Sequence, residues 1–288
     1  MVPRTLRSED ITGQLVFLGT GTSHGIPVIG CACATCTSTD PRNQRTRCSV
    51  VLGLPAGNLL VDTPPELRLQ LVREGIGLIH AVLFTHAHAD HLFGLDDVRI
   101  FPAYLGGDLP VICEGEVEAR IRSAFAYAFD PLTQGFPAGG VPRLVFRTVA
   151  TQPFGVLGAQ LTPIRLIHGP TPTIGFRCGD LAYCTDVKAF PAESLPRLEG
   201  LDVLILDCLR PEPHATHMSL EEAVETARRL APRQTWFTHV SHRLEHEATN
   251  RHLPPGMALA YDGLRVPIRG AVPGPADCPA NALSWTDE

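Results

Sequence analysis

A single α/β domain built as a four-layer sandwich, helices outside two facing sheets, is the fold predicted for this chain of 288 residues. Three observations predict it. Short apolar runs of strand type recur through both halves of the sequence. Segments with helical spacing alternate with them, and no low-complexity linker divides the interior. Residues of metal-ligand type from both halves stand at or just after strand ends, where one sheet edge would collect them. The domain is expected over residues 14–271, with 1–13 as a lead-in and 272–288 as a flexible tail.

In chain order, Gln14 to Leu18 reads as a buried strand. It runs into GTGTSHG, small residues that either make a plain turn or let the backbone approach a ligand closely. Ser49 to Leu54 and Asn58 to Asp62 read as two strands joined at Pro-Ala-Gly, which leaves Asp62 at a strand end. Glu66 to Glu74 has helical apolar spacing, with Gly75 as its stop. Ala81 to Phe84 is a short buried strand, and THAHADH follows it on a loop. Glu116 to Ala128 reads as a helix, and the Pro- and Gly-rich stretch Asp130 to Val141 as a surface loop that could cover the site. Strands are then expected at Leu144 to Val149, Gln160 to Leu166, Thr173 to Cys178, Leu181 to Thr185, Val203 to Asp207 and Thr235 to Thr238. Ser219 and Glu222 form a capping box that opens a helix to about Leu230.

The bulk numbers exclude several classes. A net charge of −6 gives no basic face by composition, so a long nucleic-acid partner is not expected, while a small anionic substrate stays open because a bound metal can dominate the local field. No stretch is long and apolar enough for a membrane span, and the first residues lack a secretory apolar run, so a cytoplasmic protein is expected. Three of the 9 cysteines crowd together as Cys31, Cys33 and Cys36, which suits metal binding better than a disulfide framework. The remaining cysteines show no pairing by spacing and read as core thiols.

His86, His88, Asp90 and His91 lie close enough in sequence to serve two adjacent ions from one loop. Mixed imidazole and carboxylate donors suit zinc or manganese, and also iron. Here the chain resembles the metallo-β-lactamase superfamily: HAHADH matches its HxHxDH signature, LLVD stands before it, and LIHGP, YCTD and FTHV follow in the expected order. The resemblance implies that His86, His88 and His168 hold one ion and Asp90, His91 and His239 a second, with Asp186 bridging them. It also implies that Asp62 buttresses the metal loop from behind. Such a pair would activate a hydroxide and clamp a substrate as charge develops.

The motif GCACATC, followed later by THVSH, narrows the resemblance to the phosphodiesterases of bacterial phosphonate breakdown, the PhnP type. It implies a structural zinc on Cys31, Cys33, Cys36 and His242, and a general acid at His217, with His214 the competing candidate three residues away. His217 and the ligand Asp90 are therefore the catalytic candidates. The implied activity is hydrolysis of a small phosphate diester, of cyclic ribose phosphate or cyclic nucleotide type, by a metal-bound hydroxide. Alternatives are ester or lactone hydrolysis, or a role in cofactor biosynthesis like that of the pyrroloquinoline quinone pathway protein, which also has a cysteine-rich loop. A homodimer is expected by analogy alone. Arg42, Arg45 and Arg47 are open between phosphate contacts and structural ion pairs.

Overall fold

The computed structural model describes residues 5–134 and 140–270. The tail expected from 272 onward lies outside them. Two sheets of seven strands face each other. The first contains β1 (Gln14–Gly19), β2 (Ser49–Leu54), β3 (Gly57–Val61), β4 (Ala81–Leu83), β5 (Leu109–Cys113) and β6 (Leu144–Thr148) in that order, and the final strand β14 (Arg265–Pro267) joins the outer edge of β1. The second contains β7 (Phe154–Val156), β8 (Ala159–His168), β9 (Thr171–Cys178), β10 (Leu181–Cys184), β11 (Val203–Asp207), β12 (Gln234–Thr238) and β13 (Met257–Leu259), also side by side in chain order.

Strand alternation explains the four layers, because successive side chains leave a strand on opposite faces. Leu15 and Phe17 of β1 pack between the sheets with Val50, Leu52, Phe176, Tyr183 and Ile205. Their neighbours Val16 and Leu18 face outward under the helices α1 (Leu67–Arg73) and α4 (Gly115–Ala124), against Leu67, Leu71, Val117 and Ile121. Across the molecule, Ala182, Leu204, Leu206 and Phe237 pack under α6 (Leu220–Leu230) through Ala223 and Ala227. Each sheet is thus apolar on both faces, which is why its strands read as continuous apolar runs. The capping box that opens α6 is present in full: Ser219 Oγ accepts from Glu222 N, and a Glu222 carboxylate oxygen accepts from Ser219 N.

Several details differ from expectation. The metal motif is not all loop: α2 (Ala89–Leu92) makes one turn that carries Asp90 and His91, with His88 at its N-cap. One turn is too short to display a helical period in sequence. The helix expected over Glu116 to Ala128 breaks after Ala124 into a separate 3₁₀ turn at Ala126–Phe129. A further short helix, α3 (Phe101–Leu105), follows the 3₁₀ segment Leu95–Ile100. Within the stretch expected to cover the site, α5 (Pro131–Gln134) is a one-turn helix, and residues 135–139 lie outside the described part. The last helix, α7 (His246–Asn250), follows the loop that leaves β12. Among the described residues no helix is long and apolar enough to cross a membrane.

Strand direction positions the site. β3 to β6 run parallel, as do β10 to β13, so their carboxyl ends gather at one edge of the sandwich. Asp62, Thr85, Asp186, Asp207 and His239 all stand at such ends. Three of them take left-handed backbone angles, with φ of 63° at Asp62, 53° at Asp186 and 58° at His239. Non-glycine residues enter that region at a cost of order 1–3 kcal/mol, so the surrounding packing holds three side chains in place against that cost.

Candidate active site

Seven side chains converge at this edge in two adjoining groups. His86, His88, His168 and Asp186 form one, and Asp90, His91 and His239 the other. Asp186 joins them: its Oδ2 lies 3.8 Å from His86 Nε2, 3.7 Å from His168 Nε2 and 3.5 Å from His239 Nε2, while its Oδ1 lies 3.2 Å from His91 Nε2. Asp90 Oδ2 lies 3.5 Å from His91 Nε2 and 3.7 Å from His239 Nε2. All the metal candidates named from sequence are therefore brought together, in the partition expected of them.

Hydrogen bonds fix which nitrogen each imidazole offers. Asp62 is fully buried; its Oδ1 accepts from Thr85 N at 2.8 Å, and its Oδ2 accepts from Thr85 Oγ1 and from His91 Nδ1, each at 2.8 Å. Since the Thr85 hydroxyl donates to Asp62, His86 Nδ1 donates to that hydroxyl oxygen at 3.0 Å. His168 Nδ1 donates to the Thr216 carbonyl at 2.8 Å. With these Nδ1 protons engaged, the Nε2 atoms of His86, His91 and His168 face the cluster and are the atoms that a metal ion would meet. His88 is turned the other way, its Nε2 on Thr171 Oγ1 at 3.1 Å and its Nδ1 inward, 3.3 Å from His168 Nε2.

This donor set fits divalent metal ions. The Nε2 atoms of His86, His91 and His239 are buried and have no hydrogen-bond partner among the described residues, an arrangement that is unfavourable unless another group binds there. Charge agrees with geometry. Burial opposes charging His91, yet the carboxylates of Asp186, Asp90 and Asp62 hold it well above the usual imidazole range. Burial likewise opposes ionising Asp186, and His239, His91 and His86 overcome it and hold the group well below the usual carboxylate range. Concentrated carboxylate charge of this kind attracts cations.

His217 lies beside both groups. Its Nδ1 donates to Asp207 Oδ2 at 2.6 Å, its ring stacks on His239 with centroids 4.6 Å apart, and its Nε2 points at Asp186, 4.0 Å from Oδ2. The competitor His214 sits outside it, ring centroids 5.3 Å from His217, and turns its Nδ1 to Thr216. Geometry thus favours His217. Asp207 was not singled out from the sequence, although VLILD ends in an aspartate just as LLVD and YCTD do. That recurring strand-end aspartate was the available signal. Its Oδ2 also accepts from Val187 N at 2.9 Å, which locks the carboxylate that orients His217.

The cysteine cluster closes around His242. Its Nδ1 lies 3.3 Å from Cys31 Sγ, 3.4 Å from Cys33 Sγ and 3.6 Å from Cys36 Sγ. A tetrahedral zinc with ordinary bond lengths gives a sulfur-to-nitrogen edge of about 3.6 Å. The Cys36 backbone N–H chiefly lowers the Cys33 thiol, to about 6, while burial pushes the neighbouring Cys36 thiol up to about 11, so one thiolate of the cluster is favoured at the expense of the other.

The arginines take structural places. Arg45 is buried, with hydrogen bonds to Thr20 Oγ1 at 2.8 Å, the Ala260 carbonyl at 2.5 Å and His246 Nδ1 at 3.1 Å. Arg47 pairs with Glu66, and Arg42 with Asp40 and Glu247. In the first glycine loop the tight approach is to the protein itself: a Cβ on Gly19 would lie 1.9 Å from the Arg47 carbonyl oxygen.

The fold and this site define a class. The family model described as a β-lactamase superfamily domain matches residues 57–240. The chain belongs to the metallo-β-lactamase superfamily and is a metal-dependent hydrolase. Among solved structures, a diphosphatase from the PhnP family is 42% identical, with a TM-score of 0.82 over 88% of this chain and 96% of that one. An octanoyltransferase of Porphyromonas gingivalis is 35% identical over 259 residues, 88% of this chain. The chain spans about half of that relative, 51% of its length. Zinc-bound PqqB from Methylobacterium extorquens shares the fold, with a TM-score of 0.67 at 19% identity over 88% of this chain and 99% of that chain.

Proposed function

We propose that the chain is a binuclear metal-dependent phosphodiesterase acting on a small phosphate diester. The observation that carries this reading is His217, held by Asp207 with its Nε2 turned toward Asp186 between the two ligand groups. A proton donor at that place serves a reaction that expels an alkoxide, and positioned general acids contribute about 10²–10⁴ in rate. His86, His88 and His168 would hold one ion and Asp90, His91 and His239 the other, with Asp186 shared. Two divalent ions there, zinc or manganese, supply water activation and neutralise charge that develops on the phosphoryl oxygens. Asp62 and Thr85 hold the imidazoles of His86 and His91 in the tautomer that leaves Nε2 free. A third ion, zinc, on Cys31, Cys33, Cys36 and His242 would fix the loop before Arg42 against the segment carrying His239. Similarity to a PhnP-family diphosphatase supports phosphorus–oxygen rather than acyl chemistry.

The test compares hydrolysis of bis(p-nitrophenyl) phosphate, a nitrophenyl acyl ester and a lactone by metal-loaded protein, wild type and Asp186→Ala. Diester turnover that dominates and disappears in the variant is the expected result. Ester or lactone turnover without diester turnover would move the assignment to carboxylic ester hydrolysis, and no turnover of any of them to a cofactor-biosynthesis role.

A further inference from the structure

Of the imidazoles in the histidine–aspartate cluster, His88 is the exception. It is exposed, whereas His86, His91, His168 and His239 are buried. Three of those are fixed from behind by neighbouring groups: His91 by the Asp62 carboxylate, His86 by the Thr85 hydroxyl and His168 by the Thr216 carbonyl. His88 is also the one that turns Nδ1 toward the cluster, 3.3 Å from His168 Nε2. Its outward Nε2 has one partner among the described residues, Thr171 Oγ1 at 3.1 Å.

Thr171 is placed for this by the turn between β8 and β9. Across Gly169 and Pro170 it pairs with His168, so one tight turn presents a ligand of the cluster and the partner of another side by side. Gly169 makes the turn possible: its φ is 58°, and a Cβ there would lie 2.7 Å from Thr216 Cγ2, in the residue whose carbonyl holds His168. β9 is tied to the metal loop as well. Thr173 Oγ1 donates to the Thr171 carbonyl at 3.1 Å, and Ile174 N donates to the carbonyl of Thr85, next to His86, at 3.1 Å. Thr171 therefore keeps its place against the loop that carries His88.

An ion on His88 Nδ1 needs that nitrogen's lone pair, so the ring proton stands on Nε2 and donates to Thr171 Oγ1. A histidine ring turns about χ2 between two broad orientations, and turning this one over would put a carbon where Nδ1 stands. For an exposed ring, water competes as the partner of Nε2, and water favours neither orientation. We propose that Thr171 is a positioning residue for His88, its hydroxyl setting how tightly the ion on His86, His88 and His168 is held while leaving the ion on Asp90, His91 and His239 unaffected. This rests on the two-ion reading above. The support behind His88 is a neutral hydroxyl, whereas His91 is backed by the Asp62 carboxylate, so the two ion positions are supported unequally.

Chelator competition on the holoenzyme, with manganese in the histidine–aspartate cluster and zinc on the cysteines, gives a dissociation constant for each manganese in wild type, Thr171→Val and Thr171→Ser. Valine keeps the shape of the side chain and loses the hydroxyl, so one constant should rise about 10-fold while the other stays within about threefold. Serine keeps the hydroxyl and should bring the first constant back to within about threefold of wild type. In zinc-loaded wild type, long-range proton–nitrogen NMR correlation should show His88 bound to metal through Nδ1 with its proton on Nε2, a signature that needs no variant to fold. Unchanged constants in Thr171→Val, equal weakening of both ions, no recovery in Thr171→Ser, or a His88 protonated on Nδ1 in the zinc form would overturn the role of Thr171 and leave the two-ion reading standing. Fewer than two manganese ions bound by wild type would refute that reading and the inference with it.

Discussion

Asp207→Asn tests how the site delivers a proton. The carboxylate accepts from His217 Nδ1 at 2.6 Å and from Val187 N at 2.9 Å, both on Oδ2, and is completely buried. An amide is nearly isosteric but can present its NH₂ to Nδ1, which would leave Nδ1 unprotonated and the ring neutral, so that Nε2–H becomes a far weaker acid than the imidazolium that the Asp207 carboxylate supports. A hydrogen bond to a charged group is worth about 1.5–3 kcal/mol, or about 10- to 150-fold in rate. The need for that proton depends on the leaving group: an alkoxide requires it, whereas a nitrophenolate leaves without it. For Asp207→Asn, kcat/KM should therefore fall by about 10²-fold on an alkyl diester and by less than about tenfold on bis(p-nitrophenyl) phosphate. Metal content, measured by inductively coupled plasma mass spectrometry, should match wild type. Equal losses on both esters at equal metal content would refute the assignment of His217 as acid and Asp207 as its positioning residue.

Asp62→Asn removes the charged acceptor for His91 Nδ1 and for the Thr85 hydroxyl that orients His86, so metal affinity should weaken about 10- to 100-fold in chelator competition. Cys36→Ser should release the cysteine-bound ion and lower the melting temperature, while the histidine–aspartate groups keep their ions; unchanged zinc stoichiometry would contradict that site. Burial, with Arg45 and Arg42 nearby, lowers His246 to about 4. Because its folded value lies below the unfolded one near 6.5, its stability contribution is complete above pH 6.5 and is lost as pH falls toward 4. The loss is about 2 kcal/mol by pH 5. Urea denaturation at pH 7.5 and pH 5 should show a shallower decline for His246→Gln than for wild type, and equal declines would exclude His246 as a source.

What the sequence made legible follows from how each feature is encoded. The ligands in HAHADH are contiguous, so their chemistry was visible before their geometry, and the alternation of Leu15, Val16, Phe17 and Leu18 between two cores is local information. The capping box at Ser219 needs only four residues. Features defined by tertiary pairing were not legible. The three-residue strands β7, β13 and β14 are too short for a period, and Pro110 obscured β5, which nonetheless lies fully buried between parallel neighbours. Asp207 lacked a motif of its own, and its role appears only when β11 is placed beside β10 and β12. The resting places of Arg42, Arg45 and Arg47 were likewise decided by partners far along the chain, such as Glu247, Ala260 and Glu66.

The most direct test of the account is anomalous X-ray diffraction from crystals of catalytically active protein, with data on either side of the zinc and manganese edges. Two peaks about 3.5–4 Å apart are predicted. One should lie on His86, His88 and His168 and the other on Asp90, His91 and His239, with Asp186 between them and a third, zinc-specific peak on Cys31, Cys33, Cys36 and His242. A single peak, or none, within the histidine–aspartate cluster of crystals that turn over a diester would contradict the binuclear mechanism.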